Sequence, residues 1–404
     1  MDKNICELFA GVGGFSLGFD RLNSDWSTVW FSQWEPGAKN QWAHDCYVSH
    51  FGDRVDLNGE FHTGDDISIV DKAFIPNHTL LVAGFPCQDY SIANSSNSIK
   101  GIEGKKGVLW WQVRDVIVAK NPPFCLLENV DRLLKSPSKQ KGRDFGIILN
   151  CLNDLGYAVE WRVINAAQYG CSQRRRRTFI FAFRKDTKYA EKMFKLSFEN
   201  IIYDSGIFSK AFPIDGVVEY RWGELPDTIN KTSDIFSFGF ENAGFMMNKK
   251  ILTAKVLEKE EKAVTLGEVL QRNVDESFYI PEDKIEKWKY VKSYKRIKRK
   301  SSLGFDYIYS EGKMPFPDYL DKPARTILTG ETSIDRSSHV VSDLDTEKLR
   351  ILTPIEVERL QGFEDDWTNT GMPIKMRYFC MGNALVVPLI TRVGKVINEI
   401  VENE

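Results

Sequence analysis

Two side chains that can carry out covalent chemistry follow apolar, strand-like segments. Cys87 comes after Leu80–Phe85 and Pro86, and Glu128 follows Phe124–Leu127. Because open α/β sheets bind ligands beyond the carboxyl ends of their strands, we expect the thiol and the carboxylate to face the same edge of a sheet. A thiol at that edge can act as a nucleophile, with the carboxylate beside it as an acid.

Each of these residues also has an ordinary structural interpretation. A lone cysteine is most often a small core residue, and a glutamate at a strand end is often only a salt-bridge partner. For Cys87 the neighbours argue against burial, since Pro86 ends the strand ladder and the polar run Gln88–Ser91 follows. For Glu128 taken alone, the two interpretations stay balanced.

A run of four arginines approaches a further strand. In Gln173-Arg174-Arg175-Arg176-Arg177, the two-residue period of a strand predicts Arg175 and Arg177 on one face and the other two arginines on the opposite face. One pair can then serve the active site. The alternative is a basic turn in solvent.

A glycine-rich turn follows the first predicted strand. The run Glu7–Gly14 ends a strand and opens a helix, and its glycines would let a ligand approach the backbone. The turn lacks the full Gly-x-Gly-x-x-Gly spacing of a dinucleotide site, so a tight strand–helix turn without a ligand explains it as well.

Acidic residues after later strands favour a ligand at this turn. Glu35 follows the second predicted strand and could bind both ribose hydroxyls. Asp66 and Ile67 are predicted to follow the third strand, where they could hold and flank an adenine ring. Each alone could equally be a loop residue in solvent. Together they predict a nucleoside pocket without a phosphate cradle, as an adenosyl-methionine cofactor requires.

The elements that must position these residues alternate along the first part of the chain. Short apolar runs predict strands at Ile5–Phe9, Val29–Ser32, Leu80–Phe85, Phe124–Glu128, Val159–Asn165 and Thr178–Phe183. Helical spacing predicts crossovers at Phe15–Leu22, Gly37–Ser49, Leu109–Lys120 and Phe145–Leu155. This order predicts an α/β fold, a Rossmann-like doubly wound, mostly parallel sheet.

The alternation stops near Arg184–Asp186. We therefore predict a catalytic domain over residues 1–185, completed by residues 350–404, and a smaller, irregular domain over residues 186–349. In the last segment, Thr353–Gln361 and the residues from Asn383 onward carry helical patterns.

Composition limits the class of protein. The 404 residues are 42% hydrophobic, without the roughly 20 consecutive apolar residues of a membrane helix or a signal-peptide core. Seven scattered cysteines, with no Cys-x-x-Cys pair and no histidine at zinc-ligand spacing, predict reduced thiols and no metal. A cytoplasmic protein is expected.

Positive charge is concentrated locally although the formal net charge is −2. Lys284–Lys300 holds nine Lys or Arg and one Glu, with three aromatic residues between them. This composition is typical of a surface that binds nucleic-acid phosphates, although such runs are also common on solvated helix faces. In Lys255–Lys262 the charges alternate in sign, so we predict a solvated helix without a function there.

The motifs together resemble those of the C5-specific DNA cytosine methyltransferases over nearly the whole catalytic domain. In family order these are Phe9–Gly14, Pro86-Cys87-Gln88, Glu128-Asn129-Val130, Gln173-x-Arg175-x-Arg177, Arg325-Thr326 and Gly382-Asn383-Ala384. Two positions depart from the family pattern: Ala384 stands where many members have Ser, and Cys380 where Gln is common.

The resemblance implies an S-adenosylmethionine-dependent enzyme with a class I methyltransferase fold and a target-recognition domain at residues 186–349. It implies that Cys87 attacks C6 of a flipped-out cytosine, that Glu128 hydrogen-bonds N3 and the 4-amino group, and that Arg177 binds the O2 edge. Arg175 would orient Glu128 and favour the thiolate. The segment Ser91–Gly107 would form a lid over the base, unless it is an ordinary surface loop.

The resemblance also implies the residues that bind each partner. The cofactor would be held by Phe9, Gly11, Gly13, Gly14, Glu35, Asp66, Ile67, Pro86, Leu109, Asn383 and Ala384. Duplex DNA would be contacted by Gln88, Ser91, Lys105, Lys106, Gln173, Lys295, Arg296, Arg299, Arg325 and Thr326.

Further expectations follow from the same resemblance. We expect a bacterial or phage-encoded monomer of the restriction-modification type, with a cognate restriction endonuclease acting separately where one exists. A transfer RNA cytosine methyltransferase, a non-catalytic DNA-binding relative and a nicotinamide dehydrogenase are the alternatives. The basic and aromatic insert, the intact catalytic residues and the short glycine pattern argue against them in turn. The DNA sequence recognised and the base that removes the C5 proton stay unassigned.

Overall fold

The computed structural model describes residues 1–85, 109–300 and 304–404. Its strands are β1 Asn4–Leu8, β2 Ser27–Ser32, β3 Leu80–Gly84, β4 Phe124–Val130, β5 Tyr157–Asn165, β6 Arg176–Arg184, β7 Ile214–Glu224, β8 Ala243–Met247, β9 Lys250–Glu258, β10 Lys295–Lys300, β11 Asp306–Glu311, β12 Val341–Ser342 and β13 Leu349–Arg350. Its α-helices are α1 Gly14–Asp20, α2 Trp42–Phe51, α3 Leu109–Lys120, α4 Arg143–Asp154, α5 Lys188–Met193, α6 Phe198–Asn200, α7 Ile207–Ala211, α8 Ile229–Ile235, α9 Leu266–Val269, α10 Glu282–Lys292, α11 Pro354–Gln361, α12 Ile374–Asn383 and α13 Val387–Glu402.

The chain divides into two compact units. The first comprises Met1–Tyr169, Arg176–Glu261 and Val387–Glu404, and the second comprises Gly170–Arg175 and Lys262–Val386. The predicted boundaries differ from these units. Residues 186–261 lie in the first unit rather than with the second domain, and residues 350–386 lie in the second.

One mixed sheet forms the centre of the first unit, with the order β2-β1-β3-β4-β6-β5-β8-β9-β7. Strands β2, β1, β3 and β4 are parallel, and β6 runs antiparallel to both β4 and β5. The predicted fold class and its six strands are confirmed. The reversal of β6 was not predicted, because a period of two residues gives a strand its faces but not its direction.

Strands β7, β8 and β9 extend this sheet by antiparallel pairing. In β9, Lys255 and Leu257 are exposed while Ala254 and Val256 are buried, which is the alternation of a strand with one covered face. The predicted helix over Lys255–Lys262 is therefore wrong. The charges at 255 and 258 lie in β9, and those at 259–262 lie in the loop that follows.

Helices cover both faces of the parallel strands. Cys6 and Leu8 of β1 belong to a large buried cluster that also contains apolar residues of α3 and α4. The intervening residue Glu7 points to the other face, where it contacts Ser16 of α1. Helix α13 packs on α1 so closely that a β-carbon on Gly18 would lie 2.5 Å from Ile390. The C-terminal helix thus completes the first unit.

The second unit contains a two-stranded antiparallel ribbon, β10–β11, and helices α9 to α12. Thr353 caps α11 through a reciprocal capping box with Glu356, as expected for Thr three residues before Glu. The Glu356 carboxylate also binds the buried guanidinium of Arg350. No described helix in either unit is long and apolar enough to span a membrane.

Candidate active site

The glycine-rich turn after β1 has the backbone geometry that its sequence predicts. Phe9, Gly11 and Gly13 all have positive φ angles, of 55°, 57° and 89°, and α1 begins at Gly14. A β-carbon on Gly13 would lie 2.5 Å from the Phe51 ring, whereas one on Gly11 would meet nothing within 4 Å. Gly13 is thus needed for packing, while Gly11 borders open space that a ligand could fill.

Gln33 fixes this turn from the end of the neighbouring strand. Its side-chain Oε1 accepts a hydrogen bond from the Gly11 amide at 2.7 Å. Its backbone amide donates to the Thr63 carbonyl at 2.9 Å. The adjacent amide of Ala10 donates to the Ser32 carbonyl at 3.0 Å. Gln33 was missed in the sequence, where only its position as a polar residue directly after a strand could have indicated it.

A buried carboxylate lies beneath the turn. Glu7 is fully buried, and its Oε2 accepts hydrogen bonds from the Ser16 amide at 3.2 Å and the Ser16 hydroxyl at 2.5 Å. Tyr47 donates to the same oxygen at 3.4 Å. Burial raises the pKa of Glu7 to about 7, although these hydrogen bonds lower it.

Glu35 lies near the end of β2, as predicted. Gln41 holds its backbone, accepting from the Glu35 amide at 2.7 Å and donating to its carbonyl at 3.0 Å. Its side chain is half-buried, and this burial raises the pKa of the carboxyl group. The carboxylate therefore gains from polar partners such as ribose hydroxyls.

Asp66 and Ile67 lie in a turn rather than after a third strand, so this part of the prediction is wrong. In the preceding segment the Asp56 carboxylate accepts hydrogen bonds from the backbone amides of Asn58 and Glu60. Side-chain bonds of this kind stabilise turns in place of a strand. The Asp66 carboxylate accepts from the Ser68 amide at 2.9 Å. Ile67 is 3% exposed and belongs to the buried cluster below the sheet, which leaves little of it to flank an adenine ring.

Glu128 and Arg177 form an ion pair at the edge of the sheet. Glu128 is aligned with Phe179 across β4 and β6, which makes Arg177 its diagonal neighbour on the same face. The Arg177 Nε lies 2.9 Å from Glu128 Oε1, and the two side chains are 19% and 13% exposed. The carboxylate is thus oriented by a cation while it keeps access to solvent.

The pair lies beside the strand that leads to Cys87. Glu128 is aligned with Gly84, the last residue of β3, and a β-carbon on Gly84 would be 3.7 Å from Glu128 Oε2. The neighbouring Asn129, 2% exposed, donates from Nδ2 to the Phe85 carbonyl at 2.8 Å. Asn129 was not predicted as a site residue, and it anchors the backbone two residues before Cys87.

The four arginines alternate in burial as predicted, with Arg175 buried, Arg177 half-buried, and Arg174 and Arg176 exposed. Strand β6 begins only at Arg176. Arg175 belongs to the second unit, where its Nη atoms donate to the carbonyls of Ile327 at 3.2 Å and Gly382 at 3.1 Å. No local pattern in the sequence indicates these carbonyl partners.

Gln173 has no exposed surface, in contrast to the predicted DNA contact. It donates to the Leu360 carbonyl at 2.8 Å and to Gln361 at 2.9 Å, and it accepts from the Ile327 amide at 3.2 Å. All its partners lie in the second unit. Its hydrogen-bonding groups therefore hold that unit together instead of facing a ligand.

Arg325 is likewise engaged inside the second unit. Its guanidinium binds Asp318 at 2.8 and 3.1 Å and donates to the carbonyls of Ser337 and Ser338. Thr326 donates to the Arg174 carbonyl at 2.7 Å. These bonds fix the loop and leave the Arg325 side chain 14% exposed. Its contact with DNA stays a prediction. Asn383 ends α12, and Ala384 follows it as the C-cap.

Several predicted residues lie outside the described residues: Pro86, Cys87, Gln88, Ser91, Lys105 and Lys106, together with the predicted lid Ser91–Gly107. Leu109, the next residue described, begins α3. Of the predicted contacts on the basic run, Arg296 and Arg299 are exposed and Lys295 is half-buried.

All six cysteines that the structure describes are buried. Burial raises the pKa of Cys6 and Cys125, and raises that of Cys151 to about 11, so these thiols are poor nucleophiles near neutral pH. Over residues 1–85, 109–300 and 304–404, no group of three His, Cys, Asp or Glu side chains could hold a metal ion.

The fold is that of class I methyltransferases. Solved structures of Dnmt2 from Schizosaccharomyces pombe and Spodoptera frugiperda align with TM-scores of 0.59 and 0.60 at 15% identity. The first covers 99% of this chain and 98% of its own, and the second covers 98% and 99%. At this identity the likeness concerns the fold alone.

The chain belongs to the family of C-5 cytosine-specific DNA methylases, whose model matches residues 3–399. The type II methyltransferase M.Sau3AI of Staphylococcus aureus is 50% identical over 403 residues, covering 98% of this chain and 95% of that protein. The type II methyltransferase M.HhaI of Haemophilus parahaemolyticus is 31% identical over 193 residues, 48% of this chain and 53% of that protein. The protein is thus an enzyme that methylates cytosine in DNA with S-adenosylmethionine.

The residues of the first unit fit this cofactor. Gly11 borders open space, and the half-buried carboxylate of Glu35 lies after the adjacent strand. The turn from Phe9 to Gly13 lacks the full glycine spacing of a dinucleotide-phosphate site. It therefore suits a nucleoside that carries an amino acid in place of phosphates. When bound, S-adenosylmethionine supplies an electrophilic methyl group.

Proposed function

We propose that the enzyme methylates C5 of a flipped-out cytosine in duplex DNA through a covalent bond between Cys87 and C6. The observation that carries this proposal is the Glu128–Arg177 ion pair at 2.9 Å. It lies beside Gly84, three residues before Cys87 along the same chain segment. An acid and a nucleophile on adjacent parallel strand ends are the groups that this chemistry requires.

The reaction follows from the weak nucleophilicity of cytosine C5. Addition of the Cys87 thiolate to C6 forms a carbon–sulfur bond and makes C5 electron-rich. Glu128 hydrogen-bonds N3 and the 4-amino group and stabilises the charge that develops on the ring. C5 then takes the methyl group, with S-adenosylhomocysteine as the leaving group. It loses its proton to a base and expels Cys87 as the C5–C6 double bond reforms.

Arg177 is proposed to have two roles. Its Nε holds Glu128 in place, and Nη1 donates to the Arg176 carbonyl at 2.7 Å. The other guanidinium donors are proposed to bind the O2 edge of the ring. Arg175, whose donors reach the carbonyls of Ile327 and Gly382, is proposed to act through the positive charge that favours the thiolate.

The anchoring of the Cys87 segment supports this assignment. Asn129 binds the Phe85 carbonyl at 2.8 Å from the strand that also carries Glu128. Strand β4 thereby carries the carboxylate and also holds Phe85, two residues before Cys87. Holding Phe85 to the strand that carries Glu128 lowers the entropic cost of bringing the thiol and the carboxylate to the base.

The cofactor is proposed to lie against Phe9, Gly11, Gly13 and Gly14, with Glu35 binding the ribose hydroxyls and Asp66 the adenine. Pro86, Leu109, Asn383 and Ala384 stay predictions as cofactor contacts. Because Ile67 is 3% exposed, we propose that it packs in the core and positions Asp66, without a large contact to the adenine ring.

The biological setting is proposed from the relatives. Since the Staphylococcus aureus relative is named a type II methyltransferase, we propose a bacterial cytoplasmic enzyme that acts on duplex DNA as a monomer. A cognate restriction endonuclease would then cut the same sequence when it is unmethylated.

Incubation with labelled S-adenosylmethionine and either duplex DNA or transfer RNA tests this function. Label in the DNA and base-resolution mapping of 5-methylcytosine at one sequence is the expected result. A Cys87→Ala variant that still binds the cofactor serves as the matched control and should leave the DNA unlabelled. Label only in the RNA, or on adenine, would contradict the proposal.

A further inference from the structure

The last strand of the nine-stranded sheet has one unpaired edge. Strand β7 ends the sheet order and, among the described strands, pairs only with β9. The register shifts of this pairing lie before Glu219, and from Glu219 to Glu224 the two strands are in regular register. The other edge of β7 therefore offers a row of backbone N–H and C=O groups that another strand could bind.

Apolar side chains are exposed along this strand. Val218, Tyr220 and Trp222 are 57%, 40% and 55% exposed. The Trp222 ring packs against Phe198 with 5.3 Å between the ring centres, so it is already held in place. A partner strand that covered these side chains would remove apolar surface from water. The entropic cost of that contact is lowered because Trp222 is ordered beforehand.

The charges of β7 argue against DNA as the partner. The strand carries three carboxylates, at Asp215, Glu219 and Glu224, and one arginine, Arg221. Phosphates would be repelled by this excess of negative charge. A polypeptide strand could instead pair its own charges with Glu219 and Arg221, whose side chains are 50% and 41% exposed and form an ion pair at 2.8 Å.

The sequence of β7 is complementary to itself. In a two-fold antiparallel pair, the residues on either side of the axis lie opposite each other in the two copies. An axis at Tyr220 places Glu219 of each copy opposite Arg221 of the other, and it places Val218 opposite Trp222. An axis at Glu219 or at Arg221 would instead place like charges opposite each other, which is unfavourable. The charges therefore favour one register.

We propose that two copies of this protein associate through their β7 strands, in an antiparallel pair with its two-fold axis at Tyr220. The sheet continues from one copy into the other, so the unpaired edge is covered in both. Two cross-strand ion pairs fix the register. Because the contact involves one strand from each copy, the interface is small, and we expect a dissociation constant on the order of 10 µM.

The pair leaves the activity of the single chain intact. Strand β7 is five steps from β4 in the sheet order, or about 24 Å at about 4.8 Å per strand. The Glu128–Arg177 ion pair therefore lies outside the contact, and each copy keeps its own site. Self-association is independent of the proposed function, and each chain still acts on DNA by itself.

Sedimentation velocity of the full chain without DNA, from about 1 to 100 µM, tests the association. The wild type is expected to change from monomer to dimer over this range. Glu219→Arg places cations opposite each other and Arg221→Glu places carboxylates opposite each other, so each variant should bind itself about tenfold more weakly or less. The control Glu282→Arg, at an exposed glutamate of α10, should associate as the wild type does.

A mixture of the two charge variants separates charge pairing from misfolding. In a mixed pair, positions 219 and 221 are cations in one chain and carboxylates in the other, so both cross-strand contacts again join opposite charges. The mixture should therefore regain the wild-type fraction of dimer at the same total concentration. Amide exchange in β7 should slow with rising concentration in the wild type and in the mixture, but not in either variant alone.

Three results would overturn the proposal. One is a wild type that stays monomeric up to about 100 µM. Another is an unchanged dimer in both charge variants, which would place the contact on a different surface. The third is a mixture that associates no better than its components, since opposite charges at positions 219 and 221 would then not hold the two strands together.

Discussion

At the residue scale, catalysis is expected to depend on the pairing of Glu128 with Arg177. Replacing Glu128 with Gln keeps the shape of the side chain but removes the charge that Arg177 orients. We expect methyl transfer to fall by about 10²- to 10³-fold, the range for losing one group that stabilises transition-state charge. Single-turnover rates with duplex DNA measure this, while cofactor affinity should change less than twofold.

Arg177→Lys tests the geometry separately from the charge. A lysine keeps the positive charge but loses the planar donors of the guanidinium, so we expect a loss of at least about tenfold and non-additive effects with Glu128→Gln. The matched control is Arg176→Lys, since Arg176 is exposed and pairs with Asp131 at 3.4 Å. Equal rates for the two lysine variants would show that Arg177 contributes only charge.

Gln173 is predicted to stabilise the second unit rather than to bind DNA. Gln173→Ala removes three hydrogen bonds among buried groups and should lower the free energy of unfolding by about 2–4 kcal/mol. Arg174→Ala, at the exposed neighbour, should change it by less than about 0.5 kcal/mol. Denaturant titration measures both free energies of unfolding. A smaller decrease for Gln173→Ala than for Arg174→Ala would contradict the structural role and favour a DNA contact for Gln173.

At the element scale, the packing of β1 against α1 is expected to make the free energy of unfolding depend on pH through Glu7. Burial raises its pKa from 4.5 to about 7, so between these values the folded protein holds a proton that the unfolded chain releases. Stability is therefore greatest below pH 4.5 for this group and declines as pH rises to 7, by an amount on the order of a few kcal/mol. Glu160, whose burial also raises its pKa to about 7, adds to the same decline.

Glu7→Gln should flatten part of this pH dependence. The free energy of unfolding, measured by denaturant titration from pH 5 to 8, is expected to fall less steeply in the variant than in the wild type. Glu282→Gln, at an exposed glutamate of α10, should keep the wild-type slope. A Glu7→Gln slope equal to the wild-type slope would mean that Glu7 is ionised in the folded protein throughout this range.

The elements that could be predicted from sequence are those whose apolar pattern is local. The strand ends that carry Glu128 and Arg177 were predicted because each borders an apolar run, which Glu128 follows and Arg177 precedes. The antiparallel direction of β6 depends on which strand it pairs with, and the sequence pattern carries no such information. The strands β7 to β9 were not predicted, and in β9 the charges of Lys255–Lys262 resemble those of a solvated helix.

At the scale of the whole molecule, the motifs of one reaction are distributed over two compact units. Gln173 and Arg175 belong to the second, and Arg177 is the second residue of the strand that pairs with β4 in the first. The spacing Gln-x-Arg-x-Arg predicted alternating burial correctly but not this division. Whether a buried arginine binds a carboxylate or two carbonyls depends on residues 150 to 210 positions away, which a local pattern does not specify.

The most direct test of the account is the trapping of the covalent intermediate on duplex DNA that contains 5-fluorocytosine at the methylated position. Fluorine at C5 cannot leave as a proton does, so the bond between Cys87 and C6 should persist. After incubation with S-adenosylmethionine and proteolysis, mass spectrometry should locate the DNA on the peptide that carries Cys87, and Cys87→Ser should form no adduct. An adduct on another cysteine such as Cys171, or an adduct that persists in Cys87→Ser, would contradict the account.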